Sequence, residues 1–231
     1  MSKSNSFLKV DPSILNDLAD YDSATVQNAA ILVRGYVPAG EDYTGPDLEQ
    51  LLPKKGGVTV GYAMTSVWTP ITEPASQPLD QNILWDMIAD TTAPIVVVLK
   101  DGDPQPNRGA LIGDGMAYLM KALGTVGAIV AGNARDIPGI AKSGIGLWAT
   151  GTVPGHGPFG IQQIGDTVEV AQLKIKHGDI LVCDQDGVAR VPIEIAADVA
   201  KACAEVRAKE SRFHATFKNE SFSIEEWRAT R

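Results

Sequence analysis

Residues 95–99 read Ile-Val-Val-Val-Leu. A run with no polar side chain and so many β-branched ones suits a strand covered on both faces of a sheet. Residues 126–130, Val-Gly-Ala-Ile-Val, have the same character. A helical pattern at 116–123 precedes that second run, with Gly124 where a left-handed C-terminal cap is wanted. Upstream, Ile83, Leu84, Met87 and Ile88 stand at helical spacing within 79–89. Alternation predicts a strand over 58–65, and further strands are expected over 147–150, 168–175, 180–183 and 188–191. The last two are joined by the hairpin turn Asp184-Gln185-Asp186-Gly187. Helices are predicted over 11–33, with Ser13 as cap and a second helix starting at Ser23 or Thr25, over 137–143 with Pro138 in the first turn, and over 193–217. The Pro-rich stretch through Pro78, the Gly/Pro-rich stretches 35–53 and 151–160 and the polar ends 1–10 and 218–231 read as connections and peripheral segments. Phe222, Ile224 and Trp227 in the tail could pack on a neighbour. The order of elements is that of an α/β protein with a mixed sheet and a long C-terminal helix, one domain over 1–231 without internal repeats.

Charge excludes some functions. The net charge is −8 and the sequence pI about 4.9, with no local basic patch, so a nucleic-acid surface is not expected. No apolar run approaches the roughly 20 residues of a membrane span. The two cysteines, Cys183 and Cys203, show neither metal nor disulfide spacing, and no signal peptide opens the chain, so a cytoplasmic setting is expected. Cys183, Trp68 and Trp85 read as core or interface residues.

The chemistry-bearing stretch is Gly113-Asp114-Gly115-Met116 through Gly132-Asn133-Ala134-Arg135-Asp136, read as turn, helix, strand breaking at 132–133, and turn. Helix and strand running back along each other could set Asp114 and the free amides of Gly115 and Met116 opposite Arg135 and Asp136. Such amides make an anion site. With Asp136 as an oxygen ligand, Asp114 one water further out and Arg135 for an anionic oxygen, the set would form a small-carboxylate pocket with a hard metal. The bland alternative is a helix cap at Asp114 and a surface pair at Arg135-Asp136.

Asp114, twenty intervening residues and Arg135-Asp136 resemble the signature of the RraA-like family. That family includes metal-dependent 4-hydroxy-4-methyl-2-oxoglutarate / 4-carboxy-4-hydroxy-2-oxoadipate aldolases and regulators of ribonuclease E activity. Ser23-Ala24-Thr25-Val26, Gly61-Tyr62-Ala63, Asp101-Gly102, Gly151-Thr152-Val153-Pro154 and His177-Gly178-Asp179-Ile180 fall in the family's order, and the likeness covers about 20–212. It implies an α/β/α sandwich, swivelling-domain-like, in a homotrimer or homohexamer.

The resemblance implies a lyase. A divalent metal, Mg²⁺ or Mn²⁺, would act on a 2-oxo acid substrate that releases pyruvate by aldol cleavage of a 4-hydroxy-2-oxo diacid, by oxaloacetate decarboxylation, or both. Carried over residue by residue, Arg135 contacts the C2 oxygen, Asp136 is the direct metal ligand, Asp114 holds metal-bound water, and the Gly115 and Met116 amides hold the carboxylate. Glu210 is the match for an acid that a neighbouring subunit supplies through water. His156, in a flexible Gly-rich loop, is a candidate contact for the distal part of a substrate. His177 and His214 read as a turn residue and a helix-surface residue. One departure stands out: the family's pattern has Glu or Asp three positions after the metal Asp, and here that position is Gly139. A missing carboxylate there implies that the metal binds weakly, that another acid replaces it, or that the substrate differs from the family's usual one; in the first case Gly139→Glu should tighten Mg²⁺. The alternative class is a non-catalytic regulatory protein similar to the inhibitors of ribonuclease E.

Overall fold

The structure is a computed structural model that describes residues 7–37, 40–73 and 77–229. In chain order its elements are α1 (Pro12–Ala19), α2 (Ser23–Arg34), β1 (Glu49–Leu52), β2 (Thr59–Thr69), α3 (Gln81–Ala89), β3 (Ile95–Asp101), β4 (Ala110–Ile112), α4 (Asp114–Ala122) and β5 (Thr125–Ala134). There follow α5 (Ile137–Ser143), β6 (Gly146–Thr152), β7 (Gly160–Ile164), β8 (Val168–Val170), β9 (Leu173–Ile175), β10 (Ile180–Asp184), β11 (Gly187–Val191), α6 (Ala196–Lys218) and α7 (Ile224–Ala229).

The main sheet is mixed and nearly closed, in the order β1-β6-β5-β3-β2-β10-β11, with β4 beside β5 and β7 beside β2. Its centre, β6-β5-β3-β2, is parallel, and antiparallel strands extend it on either side. The apolar run at 95–99 becomes β3, between β5 and β2, with every residue of the run fully buried. Period-2 geometry divides it: Ile95, Val97 and Leu99 face the core that all the major helices join, while Val96 and Val98 face a second core sealed by the β8–β9 hairpin. Burying such side chains stabilises by about 1.5–3 kcal/mol each, which is why this strand organises both layers.

Several local expectations are corrected. The second helix of the stretch 11–33 starts at Ser23, as expected, but both helices are capped by aspartates: Asp11 accepts from Ser13 N at 2.9 Å and Asp22 from Thr25 N at 2.7 Å, so Ser13 is not the cap. The connection 35–53 contains the edge strand β1, paired with β6, and the fully buried Asp42, which is ion-paired with Arg34 and Arg190. Residues 7–10 are anchored: Phe7 stacks 5.0 Å from Tyr62, and Val10 N donates to Tyr62 Oη at 2.8 Å. Residues 1–6 and 230–231 of the terminal segments lie outside the described residues, as do 38–39 and, in the Pro-rich stretch before Pro78, 74–76. In the tail, Phe222 and Trp227 pack on Phe217 of the chain's own α6, at 5.3 and 5.6 Å. Cys183 and Trp68 are core, as expected, and burial pushes the Cys183 thiol well up. Among the described residues no helix is long and apolar enough to cross a membrane.

Candidate functional site

Two strand ends lying side by side create the site. β4 and β5 run parallel, with Ile112 paired to Ala134, so the chain leaves both at the same level. From Ile112 it passes through Gly113 into α4; from Ala134 it passes through Arg135-Asp136 into α5. Arg135 N donates to Ile112 O at 3.0 Å, which ties the two exits together. Asp114 and Arg135-Asp136, with twenty residues between them in sequence, thus meet beyond the carboxyl ends of two parallel strands. The break expected at Gly132-Asn133 is a register shift against β6, and the strand continues to Ala134. Gly132 is needed there, because a Cβ would lie 2.6 Å from Leu111 Cδ1.

Asp114 is the first residue of α4, and the cap position is held by Gly113, which makes no side-chain cap bond. The first amides of α4 therefore have neither an intrahelical nor a capping side-chain acceptor. Asp136 is the N-cap of α5 with φ 56° and ψ 37°, left-handed backbone that Asp tolerates better than most residues. Its Oδ2 lies 3.3 Å from Arg135 Nε, and the two side chains are 43% and 35% exposed. Gly113 lets this pair lean over the start of α4: a Cβ there would lie 2.8 Å from Asp136 Oδ2 and 3.2 Å from Arg135 Nε.

A cleft of about 250 Å³ opens here, and Asp114, Gly115, Met116, Arg135, Asp136 and His156 all line it. Gly139, where the family pattern has an acid, packs directly against Asp114. A Cβ on it would lie 2.5 Å from Asp114 Oδ2 and 2.6 Å from Asp114 Cβ, so the Asp114 side chain occupies the space into which any side chain at 139 would start. This contact stands against a simple gain from Gly139→Glu.

The loop bearing His156 is anchored at several points, which corrects the expectation of a flexible one. Gly155 O accepts from Ala110 N at 2.9 Å, and Gly157 N donates to Pro70 O. Phe159, at φ 60°, stacks 4.7 Å from the buried Trp68 and 5.5 Å from the His156 ring. Phe159 also lines the cleft; sequence reading missed it, and the turn residues Gly157-Pro158 were the only hint.

Glu210 does not line the cleft: it sits on α6 and accepts from Asn28 Nδ2 of α2 at 3.3 Å. His177 lies at a turn, as expected, its ring edge-on to Phe7; both ring nitrogens are buried without a hydrogen-bond partner among the described residues, and burial lowers its pKa. His214 is exposed on α6. No group of three or more His, Cys, Asp or Glu with metal-holding geometry occurs among the described residues.

The RraA-like family, described as Aldolase/RraA, matches residues 33–190. A protein of Photobacterium profundum named "Putative 4-hydroxy-4-methyl-2-oxoglutarate aldolase" is 34% identical over 113 residues, which span 47% of this chain and 66% of that one. Among solved structures, an uncharacterized protein from Pseudomonas syringae pv. tomato matches over 100% of both chains at 23% identity and TM-score 0.74. Streptomyces coelicolor RraAS2, described as an unusual member of the RNase ES inhibitor RraA protein family, matches over 90% of this chain and 99% of its own at 22% identity and TM-score 0.71. At these identities the two structures speak for the fold.

Proposed function

Because this chain belongs to the RraA-like family, we propose that it is a divalent-metal-dependent lyase that releases pyruvate from 2-oxo acids. One observation carries the reading: three separate stretches, 114–116, 135–136 and 156, converge on one cleft of about 250 Å³. The cleft holds two carboxylates, one guanidinium and the uncapped start of α4, a set suited to a small anionic substrate and a cation together.

The residues fit a hard cation. Asp136 and Asp114 both line the cleft, and among the described residues no group of three or more His, Cys, Asp or Glu is placed to hold a metal ion. Mg²⁺ and similar ions accept one or two carboxylates and keep several waters, whereas a structural zinc site needs four protein ligands. When bound, such an ion acts as a Lewis acid toward the 2-oxo group. In this reading Asp136 holds it directly, Asp114 holds it through water, and Glu210 of a neighbouring copy completes the shell. Arg135 faces the C2 oxygen, where negative charge develops as the C3–C4 bond breaks, and the Gly115 and Met116 amides take the carboxylate.

The test is pyruvate release from oxaloacetate and from a 4-hydroxy-2-oxo diacid, with Mg²⁺ or Mn²⁺ and with EDTA. EDTA-sensitive pyruvate is the expected result. No turnover of either substrate, with tight binding to an RNA-degrading enzyme, would point instead to a regulator.

A further inference from the structure

His156 lines the cleft, and the lyase reading above gives it no part in holding the cation or the 2-oxo acid group. Its Nδ1 lies 2.8 Å from Gly157 O. A carbonyl can only accept, so this contact is a hydrogen bond when Nδ1 carries the proton; the neutral ring then keeps its lone pair on Nε2. The ring is also fixed in place. Its loop is tied to β4 through Gly155 and to Pro70 through Gly157, and Phe159 wedges it against Trp68. Gly157 has no room for a side chain, since a Cβ would lie 2.7 Å from Ile71 O and 2.8 Å from Ile71 Cα. The anchored loop therefore holds an imidazole at the cleft, its Nε2 able to accept a proton when Nδ1 donates to Gly157 O; the other titratable groups there are Asp114, Arg135 and Asp136.

We propose that His156 Nε2 takes the proton from the substrate's 4-hydroxyl during aldol cleavage, an inference that rests on the lyase reading above. The O4–H bond breaks and its proton moves to Nε2. The C4–O bond becomes a carbonyl, the C3–C4 bond breaks, and its electron pair passes onto the C2 oxygen as the pyruvate enolate. A proton then returns to C3 and the imidazolium gives up its own, so the reaction consumes no acid and no oxidant. Decarboxylation of oxaloacetate breaks the corresponding bond but has no hydroxyl to deprotonate. His156 is therefore needed for one reaction and dispensable for the other.

The experiment compares the full chain with His156→Gln and His156→Ala, supplied with Mg²⁺ or Mn²⁺, on a 4-hydroxy-2-oxo diacid and on oxaloacetate. General base removal predicts that cleavage kcat falls by about 100-fold or more, while decarboxylation stays within about threefold. Decarboxylation doubles as the check that each variant is folded. Added imidazole should restore part of the cleavage in His156→Ala. Equal losses on both substrates, a rise in KM with kcat retained, or unchanged cleavage would each overturn the proposal. So would a wild type that decarboxylates and never cleaves, although the lyase reading would stand. A wild type inert on both substrates overturns the lyase reading together with this one.

Discussion

Replacing Gly139 tests whether its lack of a side chain is required by Asp114. A Cβ at 139 would meet Asp114 Oδ2 at 2.5 Å, Cβ at 2.6 Å and Cγ at 2.9 Å. Rotating the carboxylate relieves the first and third contacts but not the second, because Asp114 Cβ is fixed to the first turn of α4. The helices α4 and α5 must then part. Overpacking of this kind costs about 1–3 kcal/mol. Gly139 lies inside α5, so alanine regains about 1 kcal/mol of helix propensity. The expected net effect of Gly139→Ala runs from near zero to a loss of about 2 kcal/mol. Each kcal/mol lowers Tm by about 2–4 °C in a chain of this length. The displaced Asp114 should also weaken Mg²⁺ by about 10–100-fold, and Gly139→Glu should be no better than alanine. Thermal melts and a Mg²⁺ titration of pyruvate release read the two effects separately. A Tm raised by about 2–4 °C with an unchanged titration, or tighter Mg²⁺ in Gly139→Glu, would refute the reasoning.

Asp136→Ala and Asp136→Gly should both lose metal-dependent activity, with Ala the less stable in melts by about 1 kcal/mol, since only glycine sits freely at φ 56°. Arg135→Lys should also fail in the pyruvate assay, because an ammonium cannot face a substrate oxygen while its stem carries the bond to Asp136 that the guanidinium makes. His177 should make stability fall in acid. Burial sets its folded pKa below the ordinary 6.5, so the unfolded chain binds the extra proton first. The stability is present above 6.5 and lost as pH falls through the lower folded value; a melt series in which His177→Leu keeps the same slope would refute this. Asp114→Ala and Glu210→Ala, each inactive alone, should regain part of the activity when unfolded and refolded together if the site is shared between copies. Full activity of Glu210→Ala by itself would rule that residue out.

The sequence by itself determined the elements whose partners are generic. Ile95 to Leu99 had to lie between two apolar layers whatever those layers were, and residues 137–143 form the helix that Pro138 and Gly144 delimit. It also placed Asp114, Arg135 and Asp136 in one motif, because such a pattern can be read without coordinates. Tertiary structure decided the rest. β4 is three residues long, too short for alternation to betray it, and only its pairing with β5 sets Asp114 beside Arg135. Asp42 found its partners, Arg34 and Arg190, within the chain, where composition had suggested a surface connection. Gly139 read as a missing carboxylate until packing showed its place against Asp114. Phe159 reached the cleft through a contact with Trp68, ninety-one residues away. Periodicity records which face of a segment is apolar, and that is local. Register, and the identity of the atom lying 2.5 Å away, depend on which distant segments pair, and no window of sequence contains both partners.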